Sequence, residues 1–199
     1  TMTHAGEILY KFAKRIIALT EEAEQAIDLY RGLRSGSIVI GASTIPGEYI
    51  LPAMLGRFTT DYPGIKISLR IGDTEEILGL LMDHSIDVGI VGARVENRQV
   101  DYIPFDKDEL IVIVPIAHKW SKKTVLSAEE LTAEPFVLRE KGSGTRITFE
   151  RALEKQGIDP HQLTVSAEMG SSTALKQAVK SGLGIAVISK KAVAEELKH

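Results

Sequence analysis

The chain has 199 residues, with 44% hydrophobic and 26% charged side chains and a net charge of −3 at pH 7. This length and composition predict a globular protein of one or two compact units, and the slightly acidic balance argues against a surface that grips DNA phosphates. The absence of cysteine excludes disulfides, thiolate metal sites and cysteine nucleophiles. We expect a cytoplasmic protein without membrane contact, because no apolar run could span a bilayer and the first residues do not resemble a signal peptide.

The first predicted element is a long helix over residues 6–33. Its apolar residues alternate at spacings of three and four, the pattern of positions a and d in a heptad. They are Leu9, Phe12, Ile16, Leu19, Ala23, Ala26, Tyr30 and Leu33. Two interpretations stay open: the stripe packs on its own domain, or it pairs with the same helix of a second chain, which the regular spacing favours. Gly36, after Arg34 and Ser35, ends the predicted helix.

Strands and helices alternate over the rest of the chain. The predicted strands cover residues 37–42, 65–70, 86–91, 102–105, 110–114, 136–138, 163–167 and 184–188. The predicted helices cover residues 46–60, 74–83, 145–156, 171–181 and a segment from residue 190 on. Thr74 is the expected N-cap of its helix. The alternation predicts parallel sheets with right-handed crossovers, and its restart after Pro115 predicts an α/β protein with two lobes.

Two strand-to-helix loops carry the candidate binding residues. They are Ser43 and Thr44 in the first loop and Gly142, Ser143, Gly144, Thr145 and Arg146 in the second. Both loops place hydroxyls and backbone N–H groups beyond the carboxyl end of a strand, where open α/β sheets bind ligands and helix N-termini favour anions. The alternative for each loop alone is a simple N-cap. Arg146 either pairs with an anionic ligand or is solvated, and a third helix start at residues 170–173 is a weaker candidate.

Residues suited to catalysis or metal binding form no recognisable pattern. The five histidines are scattered, and no pair has metal-ligand spacing on a helix. Residues 142–145 lack the Gly-Lys-Ser/Thr ending of a phosphate-binding P-loop, and a nucleophile elbow is missing. The sequence therefore predicts no enzymatic activity and no cofactor or metal.

Several motifs, taken together and in order, resemble those of LysR-type transcriptional regulators. They are Met-Thr-His-Ala-Gly-Glu-Ile-Leu-Tyr at residues 2–10, Gly-Ser-Ile-Val-Ile-Gly-Ala-Ser at 36–43, Tyr-Ile-Leu-Pro at 49–52 followed by Phe58 and Tyr-Pro-Gly at 62–64, Asp-Val-Gly-Ile-Val at 87–91, and Ala-Val-Lys-Ser-Gly-Leu-Gly-Ile-Ala at 178–186. Residues 138–146 resemble the subgroup tied to cysteine and sulfur metabolism or carbon fixation.

The resemblance implies an α/β fold in which a long N-terminal helix precedes two lobes like those of type II periplasmic binding proteins, with a cleft between the lobes. A linker and dimerisation helix would take residues 1–35, lobe I residues 36–114 and 189–199, and lobe II residues 115–188. The implied effector contacts match Ser43, Thr44 and the loop at 142–145, the same loops that the residue pattern selects. The family usually adds a further strand and helix to lobe I beyond the last residue of this chain.

The resemblance also implies partners. They are a small effector, which the helix N-termini favour as an anionic metabolite, a homo-oligomer (dimer or tetramer), and promoter DNA bound by an N-terminal domain that this chain does not contain. The runner-up is a transport-linked solute-binding protein of the same fold. It would account for the lobes and the cleft but not for the heptad helix.

Overall fold

A computed structural model describes residues 2–30 and 35–198. Contacts between residues divide the chain into two units, residues 1–91 and residues 92–199. Both units combine strands with helices, which confirms the predicted α/β class. The lobe limits expected at residues 115 and 189 stay predictions beside this division.

Unit 1 begins with helix α1, His4–Tyr30, which contains no proline. The a and d residues from Leu9 to Leu19 are between 55% and 69% exposed, so the helix does not bury its apolar stripe on its own unit. A side-chain contact with that unit is made by Lys14, whose Nζ donates to Ser85 Oγ at 2.7 Å. Leu33, the last heptad position, and Arg34, the first residue of the predicted helix end, lie outside the described residues.

The sheet of unit 1 contains three parallel strands in the order β2-β1-β3. They are β1 (Gly36–Ser43), β2 (Ile65–Gly72) and β3 (Val88–Ile90). The central strand β1 reads as a nearly continuous apolar run, as expected for a strand with neighbours on both sides in a parallel sheet. Its residues Ile40 and Ala42 form a core cluster with Leu51 of helix α2 (Leu51–Asp61).

Two predictions for unit 1 are wrong in detail. The helix expected over residues 46–60 begins as a π-helical turn, Pro46–Ile50, and becomes α-helical only at Leu51. Helix α3 spans Thr74–Met82, but its N-cap is Asp73, whose carboxylate accepts from the Glu76 N–H at 2.8 Å. Aspartate is as good an N-cap as threonine, so residue type alone did not decide between the two positions.

Unit 2 contains four strands and three helices among its described residues. The strands are β4 (Leu110–Ile113), β5 (Pro135–Arg139), β6 (Thr164–Met169) and β7 (Ala186–Ser189), and the helices are α4 (Ala128–Thr132), α5 (Gly144–Lys155) and α6 (Ser172–Lys180). Strands β5 and β6 pair in parallel, and Phe136 forms a parallel bridge to Ile185 just before β7. These pairings place the C-terminal ends of β5 and β6 on one edge.

Other predictions for unit 2 fail. Residues 102–105 form no strand, and β4 pairs with β7 in an antiparallel manner, so the sheets are not all parallel. The helix expected from residue 190 consists of two 3₁₀ turns, Lys190–Val193 and Glu196–Lys198. Helix α4 was not predicted, although Ser127 and Glu130 form a capping box at its N-terminus, which is a signal readable from sequence.

The core of unit 2 lies between its strands and helix α5. Phe136 is fully buried, and its ring stacks on that of Phe149 with the centroids 5.4 Å apart. Trp120 lies in the polar stretch at residues 118–123, yet it belongs to the same core cluster and is 6% exposed. Its ring stands edge-on to His118, so the polar residues around it cover one side of a buried indole.

Candidate functional site

The first candidate loop follows strand β1. Ser43 is the last residue of β1, pairs in register with Gly72, and is 5% exposed. Thr44 Oγ1 donates to the Gly72 carbonyl at 3.5 Å, which is at the long limit for a hydrogen bond. The next residue, Ile45, already has helical backbone angles and no side-chain cap. Both predicted hydroxyls therefore lie at the carboxyl edge of the sheet, as the sequence indicated.

A third hydroxyl lies at the same edge and was not predicted as a site residue. Thr74 follows the end of β2 and is fully buried, and its Oγ1 has no hydrogen-bond partner within the described part of the chain. A buried hydroxyl without a partner costs roughly 1–3 kcal/mol, and such groups are rare in folded proteins. Because Thr74 was predicted as an N-cap, it was not considered as a binding residue.

The second candidate loop joins β5 to α5. Residues Gly142, Ser143 and Gly144 are buried, while Thr145 is half-buried. Ser143 occupies the N-cap position with an extended backbone, yet its hydroxyl makes no capping hydrogen bond. Because the first N–H groups of a helix lack partners within the helix, this helix start keeps donors that its own cap does not use.

The cap of α5 contrasts with that of helix α6. Ser171 Oγ accepts from the Ala174 N–H at 3.1 Å and thereby caps α6 in the usual way. Both serines have extended backbone angles at the N-cap position, but only the Ser171 hydroxyl is used within its own helix. The two serines look equivalent in sequence, and the structure separates them.

Arg146 is paired with two carboxylates of the chain and is not solvated. Its Nε donates to Glu150 at 2.7 Å, and its Nη1 donates to Glu168 at 2.6 Å and to the Arg139 carbonyl at 2.8 Å. Burial lowers the pKa of Arg146, but the hydrogen bonds to Glu150 and Glu168 outweigh burial and leave the pKa above its usual value. Arg146 therefore ties the first turn of α5 to the ends of β5 and β6.

The cation that the sequence missed is Arg139, the last residue of β5. It is 3% exposed, and a buried guanidinium is stable only when it is well paired. Its Nε and Nη2 donate to the two carboxylate oxygens of Glu140 at 2.8 and 2.6 Å, and its Nη1 donates to Ser172 Oγ at 3.0 Å. A signal was present in the sequence, because Arg139 ends an apolar strand directly before the candidate loop.

Arg139 and the second loop border a common space. A space between β5 and α5 is lined by Val137, Leu138, Arg139, Thr145, Arg146, Phe149 and Val187. Its cavity volume of about 10 Å³ is close to the smallest that holds one water molecule, so a ligand group could enter it only if side chains move.

A cluster of acid and base side chains, His118, Lys119 and Glu134, lies outside the two candidate loops. Within residues 2–30 and 35–198, no group of three or more histidine and carboxylate side chains could hold a metal ion. Glu134 has a pKa below its usual value, chiefly because Lys119 donates a hydrogen bond to it, and His118 adds to the effect. His118 Nδ1 accepts from the Trp120 N–H at 3.2 Å, so this cluster stabilises a turn.

None of the helices in the part of the chain that the structure describes is long and apolar enough to cross a membrane.

Comparison with known proteins identifies a family. The model of the LysR substrate binding domain matches residues 31–199. A protein named "Probable RuBisCO transcriptional regulator" from Cyanidioschyzon merolae is 34% identical over 99% of this chain, and one of the same name from Emiliania huxleyi is 36% identical over 99%. The chain spans 66% and 64% of the length of these two relatives.

Solved structures agree with the sequence match. The CcmR regulatory domain of Synechocystis PCC6803, solved in complex with 2-PG, is 33% identical and superposes with a TM-score of 0.72 over 80% of this chain and 74% of that one. The effector binding domain of QuiR, in complex with shikimate, has the same TM-score at 23% identity, over 78% of this chain and 74% of that one. At that identity the second likeness shows the fold alone.

Proposed function

Because this chain belongs to the LysR substrate-binding domain family, we propose that it is the effector-sensing region of a transcriptional regulator and that it binds a small anionic metabolite. Relatives named as transcriptional regulators support this role over the transport-linked alternative and argue against an enzyme. Their RuBisCO-related names also favour the carbon-fixation subgroup over the sulfur subgroup.

The observation that carries the proposal is the start of α5. The Ser143 hydroxyl is not used as a cap, and the buried guanidinium of Arg139 lies one short loop away on β5. A helix N-terminus favours negative charge through its N–H donors and dipole, and a guanidinium binds carboxylates and phosphates in a bidentate manner. Together they form a site for an anion, with Thr145 beside it.

Ser43, Thr44 and the loop at 142–145 remain the proposed effector contacts, and Thr74 joins them as a further hydroxyl at the edge of the first sheet. Arg139 replaces Arg146 as the proposed anion-binding cation. Arg146 pairs with two carboxylates from separate elements, Glu150 and Glu168, whereas Arg139 pairs with the carboxylate of Glu140, the next residue in the loop. The solved CcmR regulatory domain in complex with 2-PG supports a site for a small metabolite in a chain of this kind.

Calorimetric titration with 2-PG, inorganic phosphate and sulfate tests the proposal. At least one anion should bind, and Ser43→Ala and Thr145→Ala should each weaken it by roughly 1–3 kcal/mol, the contribution of a hydrogen bond to a charged group. Thr60→Ala is the matched control, because that hydroxyl bonds only within its own helix, to Gly56. Unchanged affinity in the Ser43→Ala/Thr145→Ala double variant would rule out this site, and a preference for neutral or cationic ligands would refute the electrostatic argument.

Promoter DNA is a partner of the whole regulator in this proposal and not of this chain. The chain has a net charge of −3, whereas DNA-binding domains usually carry a basic excess. The relatives extend well beyond the matched region, and we assign the DNA contact to a part outside it. A regulator that acts on DNA in this way works in the cytoplasm.

Self-association through α1 is the second part of the proposal. The exposed stripe from Leu9 to Leu19 has the heptad spacing of a helix that pairs with a copy of itself. Analytical ultracentrifugation should show a concentration-dependent dimer or larger oligomer. Leu19→Asp should weaken it, because a carboxylate in an apolar seam is costly to desolvate. Glu21→Asp changes an acidic residue outside the a and d positions, so it should leave the oligomer unchanged. A clean monomer at every concentration would contradict this part.

A further inference from the structure

The ion pair at the end of β5 joins two consecutive residues with different surroundings. The Arg139 side chain is 3% exposed, whereas that of Glu140 is 24% exposed. Both oxygens of the Glu140 carboxylate accept hydrogen bonds from Nε and Nη2 of the Arg139 guanidinium, and Ser172 Oγ accepts from Nη1. The pair therefore has a fixed, buried cation and a carboxylate that reaches it from the solvent side.

The edge that Glu140 occupies is the edge that an anionic ligand needs. A planar guanidinium binds a carboxylate or phosphate through two parallel N–H donors, and Glu140 uses that arrangement already. The same carboxylate belongs to the residue that opens the second loop, three positions before the uncapped Ser143. An anion placed against Arg139 would thus meet Glu140 before it met any other acidic group of the loop.

We propose that Glu140 is an internal competitor for the effector, a carboxylate that holds Arg139 in the unliganded protein and is displaced when an anionic ligand binds. This inference rests on the proposed effector site at the start of α5 and adds how that site is regulated. The ligand group that it selects is a carboxylate or phosphate able to take both donors of Arg139 and also accept from the free donors of α5. A neutral ligand should displace Glu140 less readily, because it offers no charge in place of the Glu140 carboxylate.

The backbone around Glu140 allows its side chain to move alone. The Glu140 N–H donates to the Met169 carbonyl at 3.3 Å, and the Glu140 carbonyl accepts from the Ser143 N–H at 3.0 Å. These bonds hold the turn in place whether or not the carboxylate contacts Arg139. Release of the carboxylate therefore needs a change of side-chain rotamer and no rearrangement of the loop.

The test compares Glu140→Gln with the wild-type chain in calorimetric titrations with 2-PG and inorganic phosphate, together with thermal unfolding. Glutamine keeps the shape and one acceptor but removes the competing charge. We expect anion affinity to rise by about tenfold, in line with the strength of a hydrogen bond to a charged group. The melting temperature of the unliganded variant should fall, because Arg139 loses its counter-ion, and the bound anion should restore it.

Two further variants make the result decisive. Glu154→Gln removes one negative charge from an exposed position on helix α5, which follows the loop of Glu140. This variant should leave anion affinity unchanged. Glu140→Asp keeps the charge but shortens the reach to Arg139, and should raise affinity less than glutamine does. It also serves as the test if Glu140→Gln does not fold.

The outcomes separate this inference from the function on which it rests. If Glu140→Gln melts at a lower temperature but binds anions with wild-type or weaker affinity, Glu140 is a structural partner and the inference is wrong, while the effector site stands. If neither the wild-type chain nor any variant binds an anion, the effector site fails and the competitor with it. Binding by Glu140→Gln alone would support the competitor, because its removal would then have opened the site.

Discussion

The two strand-to-helix loops look alike in sequence but differ in how they are built. The loop after β1 carries the hydroxyls of Ser43 and Thr44 and enters a π-helical turn at Pro46. It is positioned by close packing, since a Cβ at Gly47 would stand 2.9 Å from Ile71 Cγ1 and 3.3 Å from Ala42 Cβ. The loop after β5 is positioned by charge, through the contacts of Arg139 and Arg146.

A shared pattern of hydroxyls at a helix start therefore does not specify one kind of site. In the first loop the hydroxyls supply neutral hydrogen bonds that can orient a ligand. In the second loop an uncapped helix start supplies N–H donors, and Arg139 supplies a guanidinium that Glu140 holds in the unliganded protein. A ligand at the second loop would therefore be selected for negative charge.

Among the substitutions that test this difference, Arg146→Gln should have the largest effect on the stability of unit 2. The substitution removes two ion pairs and the bond to the Arg139 carbonyl, so unit 2 should lose about 1–3 kcal/mol of unfolding free energy; the half-exposed partner Glu168 keeps the loss at the lower end. Urea unfolding followed by Trp120 fluorescence measures it, because this single tryptophan lies in the core of unit 2.

Arg151→Gln is the control for that experiment. Arg151 is exposed on the same helix and donates to the Arg94 carbonyl, so its replacement should cost a few tenths of a kcal/mol at most. Equal losses in the two variants would mean that the Arg146 contacts do not position the second loop.

A smaller effect is expected for the two N-cap serines of unit 2. Ser171→Ala removes the cap of α6 and should cost about 1 kcal/mol of stability. Ser143→Ala removes a hydroxyl that caps nothing and should leave stability nearly unchanged while weakening anion binding. The same urea titration, with calorimetry beside it, separates the two. A stability loss of equal size in Ser143→Ala would show that this serine is an ordinary N-cap and would remove the main support for the anion site.

Much of this arrangement could be predicted from sequence because it depends on local patterns. The 3–4 spacing in α1, the apolar run of β1 and the loops at Ser43 and Ser143 were found where residue order sets them. Errors arose where several residues compete for one role. Asp73 took the cap expected of Thr74, and residues 102–105, although apolar at intervals, form no strand.

Hydrophobic periodicity and capping chemistry act over a few residues, so the order of residues predicts the α/β class, the heptad helix and the two hydroxyl loops. The exposure of the heptad stripe and the choice of charges that serve the second loop depend on tertiary packing. Arg146 is the arginine inside the motif, but folding brings Glu150 and Glu168 to it, while Arg139 is buried beside Ser172, which lies 33 positions away. The physical reason is that the charge available to a ligand depends on neighbours that meet only when strands and helices pack.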